Sequence, residues 1–256
     1  MSTSASVKLS KDATISILTC SPGNELYSLF GHTGIRVVDK ANNMDIVFNY
    51  GTFDFDTQGF YFKFARGLLP YQLSCSEFRR FLSSYIYDKR SVYSQTLNLD
   101  SIQKQYLMDL LIENYQPANR EYLYNFLYDN CSTRVRDIIE KSTGNQITWI
   151  AQPSTKSFWN LLDEYLGRSP WIQWGIHTIL GSPATSTATL REQMFLPDYL
   201  MYHLDSAAYN GTPLVQPIET VYEAPEQDLS TPWYFSPFFV FAICTLALVS
   251  LLQKIK

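Results

Sequence analysis

From Tyr234 to Leu252 the chain reads YFSPFFVFAICTLALVSLL, 19 residues without a charge. A helix of that length crosses a hydrocarbon core of roughly 30 Å. Trp233 and Tyr234 stand at its start as interface anchors, and the basic QKIK follows it. By the positive-inside bias the lysine end faces the cytoplasm and everything before the span lies on the other side of the membrane. A buried core helix is the competing reading. Its terminal position, uniform apolarity and flanking residues argue for the span. The opening MSTSASVKLSKD has no apolar signal stretch. An exported domain needs an export signal, so we expect a trimmed or replaced leader.

The rest of the 256 residues suffices for one large domain or two small ones. Net charge is −4 with no basic run outside the last residues, which argues against nucleic acid as a partner. Aromatics make up 15% of the chain. That loading suits work near lipid or carbohydrate, but an ordinary aromatic-rich core is the preferred reading. The cysteines, Cys20, Cys75, Cys131 and Cys244, form no CxxC pair, so a zinc ribbon is not expected. A disulfide among the first three is open in an oxidising compartment, and at least one of them then stays unpaired.

ATISILT (13–19) alternates as a strand does. TGIRVVD and DIVFNYG read as two strands around the polar turn KANNM. FYFKFARG fits a strand or a short amphipathic helix. SCSEFRRFLSSYIYD opens on Ser74-x-x-Glu77, a capping-box pattern, and predicts a helix. RSVYSQTLNL reads as a strand. DSIQKQYLMDLLIENY predicts a helix capped by Asp100 and Gln103, with Ile102, Tyr106, Leu107, Leu110 and Leu111 on one stripe. STRVRDIIEKSTG predicts another, burying Val135, Ile138 and Ile139 and closed by Gly144. SFWNLLDEYL, PWIQWGIHTIL and PDYLMYHLDS look helical. The order predicts an α+β class. We expect a tail over 1–12, a catalytic domain with a helical extension over 13–208, a Pro-rich linker over 209–232 and the span over 233–253.

LYDNCSTRVRDIIE (127–140) sets Cys131 just after Asp129 and Asn130, either of which is a good N-cap. Unpaired amides and the helix dipole favour anionic sulfur there and can hold an oxyanion. Arg134 and Arg136 add positive potential. A small buried apolar residue is the other reading of Cys131. A thiol nucleophile needs a base. His177 in an aromatic helix, and His203, read as packed core residues. His32 in FGHTGIRV, flanked by Gly31 and Gly34 at a strand mouth, is the site candidate. If the two strands pair, Asn49 falls near His32 and is the first choice to orient it, with Asp54 second.

With NCSTRVRDII following GHTGIRV, the order of histidine strand, strand and cysteine helix resembles the circularly permuted papain-like fold of NlpC-type hydrolases and lecithin:retinol acyltransferase. From about residue 9 to 145, ISILTCSPGNELYSLFGHTGIRV, VFNYGTFDFDT, FYFKFARGLLPYQL and NREYLYNFLYDNCSTRVRDII together resemble the periplasmic domain of the Lnb lipoprotein N-acyltransferase family of some Gram-negative bacteria. The resemblance implies transfer of a fatty acyl chain from a phospholipid to the N-terminal amine of a diacylglyceryl-cysteine lipoprotein, through a Cys131 thioester and without a cofactor. It implies His32 as base, Tyr27 and Ser28 as cleft residues, and Lys63, Arg66 and Arg120 as headgroup contacts; a solvated charge is the other reading of the three cations. It places the catalytic domain in the periplasm, anchored in the inner membrane. Members of the family usually carry a signal peptide and several C-terminal spans, and this sequence departs from both. A cell-wall cysteine amidase or peptidase and a non-catalytic tethered binding module remain rival readings.

Overall fold

The computed structural model describes residues 7–53, 58, 70–150, 155–167, 169–225 and 232–255. The chain is mixed α+β and divides into two compact units. The first comprises Met1–Pro153 and Thr189–Ala224, the second Ser154–Ala188 and Pro225–Lys256.

In the first unit the strands are β1 (Thr14–Cys20), β2 (His32–Asp39), β3 (Met44–Thr52), β4 (Pro70–Glu77), β5 (Val92–Thr96) and β6 (Glu121–Leu123). Then come β7 (Ile147–Thr148), β8 (Ala208–Tyr209), β9 (Thr212–Pro213) and β10 (Glu219–Tyr222). Its helices are α1 (Phe78–Tyr87), α2 (Ser101–Tyr115) and α3 (Cys131–Ser142). Seven strands form one antiparallel sheet in the order β10-β5-β1-β2-β3-β4-β6, and β7-β8-β9 form a smaller one.

Alternation along the strands gives the large sheet two apolar faces. Ile15, Ile17, Ile35, Val37, Phe48 and Tyr50 pack with Leu107 and Leu111 of α2 and Val135, Ile138 and Ile139 of α3. On the other face Leu18, Cys20, Val47 and Val92 pack with Phe81 and Tyr85 of α1. Val135 and Ile139 are fully buried, each stabilising the docked α3 by about 1.5–3 kcal/mol.

Asp100 and Gln103 form the expected capping box of α2. The stripe does not hold throughout: Ile102 is 80% exposed and Tyr106 is exposed, because Met108 turns inward instead. Ser74-x-x-Glu77 is not a cap. Those residues continue β4, where Ser74 pairs with Asn49, and α1 starts after Glu77 with no side-chain cap. Strand pairing with β3 has overridden the local signal. The stretch expected as linker carries β9 and β10, and β10 extends the large sheet beside β5. FYFKFARG lies outside the described residues.

The second unit holds α4 (Phe158–Leu166), α5 (Pro170–Leu180) and α8 (Pro237–Ile255). The short α6 (Leu190–Gln193) and α7 (Pro197–Ser206) return to the first unit. Helix α8 is long and apolar enough to cross a membrane over Pro237–Lys254, with none of that window buried.

Candidate active site

Asn130 fixes where α3 begins. Its backbone is extended, and its Oδ1 accepts from the amides of Ser132 (2.9 Å) and Thr133 (3.0 Å). Thr133 Oγ1 returns the bond to Asn130 N–H, and Asn130 Nδ2 donates to the carbonyls of Phe126 and Phe195, all at 2.8 Å. Asn130, rather than Asp129, is therefore the cap, and Cys131 is the first helical residue. The box also consumes the Ser132 and Thr133 amides. Among the described residues, the Cys131 N–H is the donor left at the helix mouth.

His32 opens β2. Gly31 before it has φ +82°, and a Cβ there would lie 2.7 Å from the Cys20 carbonyl oxygen, so a glycine is required for this turn. Asn49 sits on β3 where a bulge shifts the register between Asn49 and Thr52, with Gly51 at φ +88° inside it. His32 Nε2 lies 3.3 Å from Asn49 Oδ1. An amide oxygen only accepts, so with this side-chain orientation Nε2 carries the proton and Nδ1 is the basic nitrogen.

One residue beyond each partner, Thr33 Oγ1 and Ser132 Oγ are 2.8 Å apart, and both residues are fully buried. This bond between β2 and α3, together with the packing beneath it, holds His32 beside Cys131. Burial alone would raise the Cys131 thiol pKa. The His32 charge, its hydrogen bond to sulfur, the Thr33 backbone N–H and the Ser132 hydroxyl outweigh burial and leave it below the ordinary thiol value. Cys131 keeps partial exposure, while Cys20 is fully buried. All four cysteines are free.

Aromatic side chains surround the sulfur. Burial, and then negative charge at Cys131, push Tyr71 up to about 12 and raise Tyr122 and Tyr124 as well. Tyr71 stacks on Tyr124 with centroids 4.2 Å apart, and edge contacts continue through Phe53 to Tyr27. The Tyr122 hydroxyl is buried with no partner among the described residues. Arg134 does not face the sulfur as a free cation. It grips Asp129 at 2.6 and 2.8 Å and lies 3.5 Å over the Tyr122 ring. Arg136 is likewise committed, to Asp137 and the Arg191 carbonyl.

The structure thus brings Cys131, His32 and Asn49 together. Tyr27 stands at the outer end of the aromatic run, 56% exposed. Ser28 is buried and spends its hydroxyl on the Glu25 carbonyl at 2.9 Å, so it shapes the turn before His32. Arg120 lies between β4 and β6; its carbonyl accepts from Leu73 N–H and its Nε is buried without a partner among the described residues. Asp54, Lys63 and Arg66 lie outside the described residues. Sequence reasoning passed over Thr33, Ser132 and Arg80. Arg80 lines a cavity of about 280 Å³ beside His32 and Asn49, with Thr52, Ser76 and Ser84. Its only sequence signal was a charge in a helix, which most surface arginines share. Among the described residues no cluster of three or more His, Cys, Asp or Glu is placed to hold a metal.

His177 is not the packed core residue expected. No residue of α5 is buried, and His177 stacks on Trp159 with its Nε2 2.8 Å from Asp163 Oδ1. His203 on α7 is partly buried, which lowers its pKa.

Residues 4–163 match the model of a protein family described as the Lnb N-terminal periplasmic domain. No curated protein and no solved structure matches the chain.

Proposed function

The chain belongs to the family of the Lnb N-terminal periplasmic domain, and from that premise we propose that it is a membrane-anchored thiol acyltransferase. It moves a fatty acyl chain from a phospholipid to the N-terminal amine of a diacylglyceryl-cysteine lipoprotein. The observation that carries the reading is the apposition of a lowered Cys131 thiol with His32, itself held by Asn49. The chain order, a strand histidine before a cysteine that opens a helix, fits a permuted papain-like arrangement.

In the first half-reaction the Cys131 proton passes to His32 Nδ1 and the sulfur bonds to an ester carbonyl carbon. The Cys131 N–H donates to the resulting oxyanion. As it collapses, the ester C–O bond breaks and the lysophospholipid oxygen takes the proton from the imidazolium. In the second half the lipoprotein amine gives a proton to His32 while its nitrogen bonds to the thioester carbon. The C–S bond then breaks and restores the thiolate–imidazolium pair. Arg80 serves as a cation for the lipid phosphate, because a guanidinium matches phosphate geometry. The catalytic domain lies in the periplasm, and α8 crosses the inner membrane with its lysine end in the cytoplasm.

The test is mass spectrometry of the full chain incubated with phospholipid vesicles. We expect an acyl mass on Cys131, absent in Cys131→Ser, that disappears when a diacylglyceryl lipopeptide with a free amine is added. An unmodified thiol in folded, vesicle-bound protein overturns the reading. A cell-wall cysteine amidase is the second reading, and the small, mixed-polarity cavity beside His32 favours it. It predicts a peptidyl adduct on Cys131 that water discharges.

A further inference from the structure

Helix α5 is amphipathic in the wrong sense for a protein that meets only water. Gln173 and His177, one turn apart, form its polar strip, and both are turned onto α4. Gln173 Nε2 donates to Asp163 Oδ1 at 2.7 Å, and His177 Nε2 is 2.8 Å from the same oxygen. The opposite arc carries Trp171, Ile172 and Ile179, with Trp174 and Ile176 at its edges, and Thr178 among them returns its hydroxyl to the Trp174 carbonyl at 2.7 Å. None of them is buried; Trp174 is 51% exposed and Ile179 81%. The Gln173–His177 strip faces protein, and the arc that faces out is mainly apolar. The helix contains no charged residue.

What covers this face is set by what α5 is tied to. Trp171 Nε1–H donates to the Phe235 carbonyl at 2.6 Å, just before α8. The rings of Trp171 and Trp174 lie 5.7 and 5.6 Å from Phe241 in the second turn of α8. At the same end Trp233, Tyr234, Phe235 and Phe238 are exposed at 73, 55, 61 and 85%. Trp and Tyr gather where membrane meets water. A groove of about 520 Å³ opens between α5 and the start of α8, lined by Trp174, His177, Pro237 and Phe238. The 11 residues of α5 extend about 17 Å, too short to cross a core of roughly 30 Å.

We infer that α5 is a second membrane contact, lying in the plane of the interface beside the start of the span. Its apolar arc seats roughly 5–10 Å into the headgroup–acyl boundary, and lipid fills the groove between α5 and α8. The inference does not depend on any chemistry at Cys131.

The chain has five tryptophans. Full-length protein carrying Trp149→Phe, Trp159→Phe and Trp233→Phe, reconstituted in phosphatidylcholine vesicles, leaves Trp171 and Trp174 as reporters. Lipids brominated near the headgroup end of their chains should quench this emission more than lipids brominated near the methyl end, and aqueous acrylamide should quench it weakly. Adding Ile179→Asp, at an exposed position, should shift quenching from bromine to acrylamide. If the triple variant does not fold, the emission lost between wild type and Trp171→Phe/Trp174→Phe gives the same contrast. No quenching by either lipid means water, or protein such as a second copy, covers the face; stronger quenching from the methyl end means α5 sits among spans. Each of these overturns the inference.

Discussion

Cys20 and Cys131 are both held next to His32, yet their chemistry diverges. Cys20 is the cross-strand partner of His32 in the β1–β2 ladder, fully buried beneath Phe81 and Tyr85. Burial pushes its thiol up to about 12, although Arg90 and a hydrogen bond with Tyr85 pull the other way. Cys131 also pays a desolvation penalty, but its value falls. The difference lies in the charge and donors each sulfur meets. A strand residue inside a sheet has neighbours whose amides are spent on the ladder. Cys131 meets the His32 charge first, then hydrogen bonds from His32, from the Thr33 amide at the start of β2 and from the Ser132 hydroxyl. Burial strengthens whatever electrostatics it encloses, so enclosure with a nearby charge and donors lowers a thiol's pKa and enclosure without enough of them raises it.

The largest effect that would break this contrast is labelling. At neutral pH iodoacetamide should modify Cys131 at least about a hundredfold faster than Cys20, and His32→Ala should slow Cys131 by about the same factor. Peptide mapping reads both rates; a His32-independent rate would remove the contrast and the enzyme readings with it. The pH profile sharpens it. With a lowered pKa the thiolate persists above that value, so the Cys131 rate should fall as pH drops through a folded value below the ordinary 9.0. In His32→Ala the fall should move upward, toward the ordinary thiol value of 9.0. The sign for stability agrees: a depressed folded pKa contributes stability above the unfolded value, lost as pH falls through the folded one.

Asn49→Ala should act on the same rate more weakly. A hydrogen bond to a charged group is worth about 1.5–3 kcal/mol, so losing the bond to imidazolium should cost roughly tenfold or more in labelling, with β3 intact by circular dichroism. The smallest expected effect is Cys20→Ala. Removing one buried sulfur should lower unfolding stability by about 1 kcal/mol in a denaturant titration and leave Cys131 labelling unchanged. A large change in that rate would mean Cys20 takes part in the site.

Much of the frame was legible because its signals are local. The Asp100–Gln103 box, a cap at Asp129 or Asn130, the β2–β3 pair around KANNM and the apolar α8 each depend on residues close in sequence. The misreadings share one cause. Ser74 looked like a cap, but β3 recruited it into β4. Residues 219–222 looked like linker, but β5 supplied an edge for them far back in the chain. His177 looked like core, but Asp163 holds it while the apolar side of α5 faces outward. In each case the deciding partner is distant or lies on another element, and residue type alone does not name it.

The amino-acid string by itself determined that Cys131 would lie at or just inside the first turn of a helix, since Asp129 and Asn130 can each cap the amides that follow them. It also determined that one C-terminal segment suits lipid, since charge-free length is a property of composition. The tertiary structure alone decided that an imidazole would stand beside that sulfur and that the other cysteine near the same histidine would stay silent. The first follows from a hydroxyl pair, Thr33 and Ser132, that joins segments 99 residues apart, the second from burial of Cys20 beneath Phe81 and Tyr85, and electrostatics acts through space rather than along the chain.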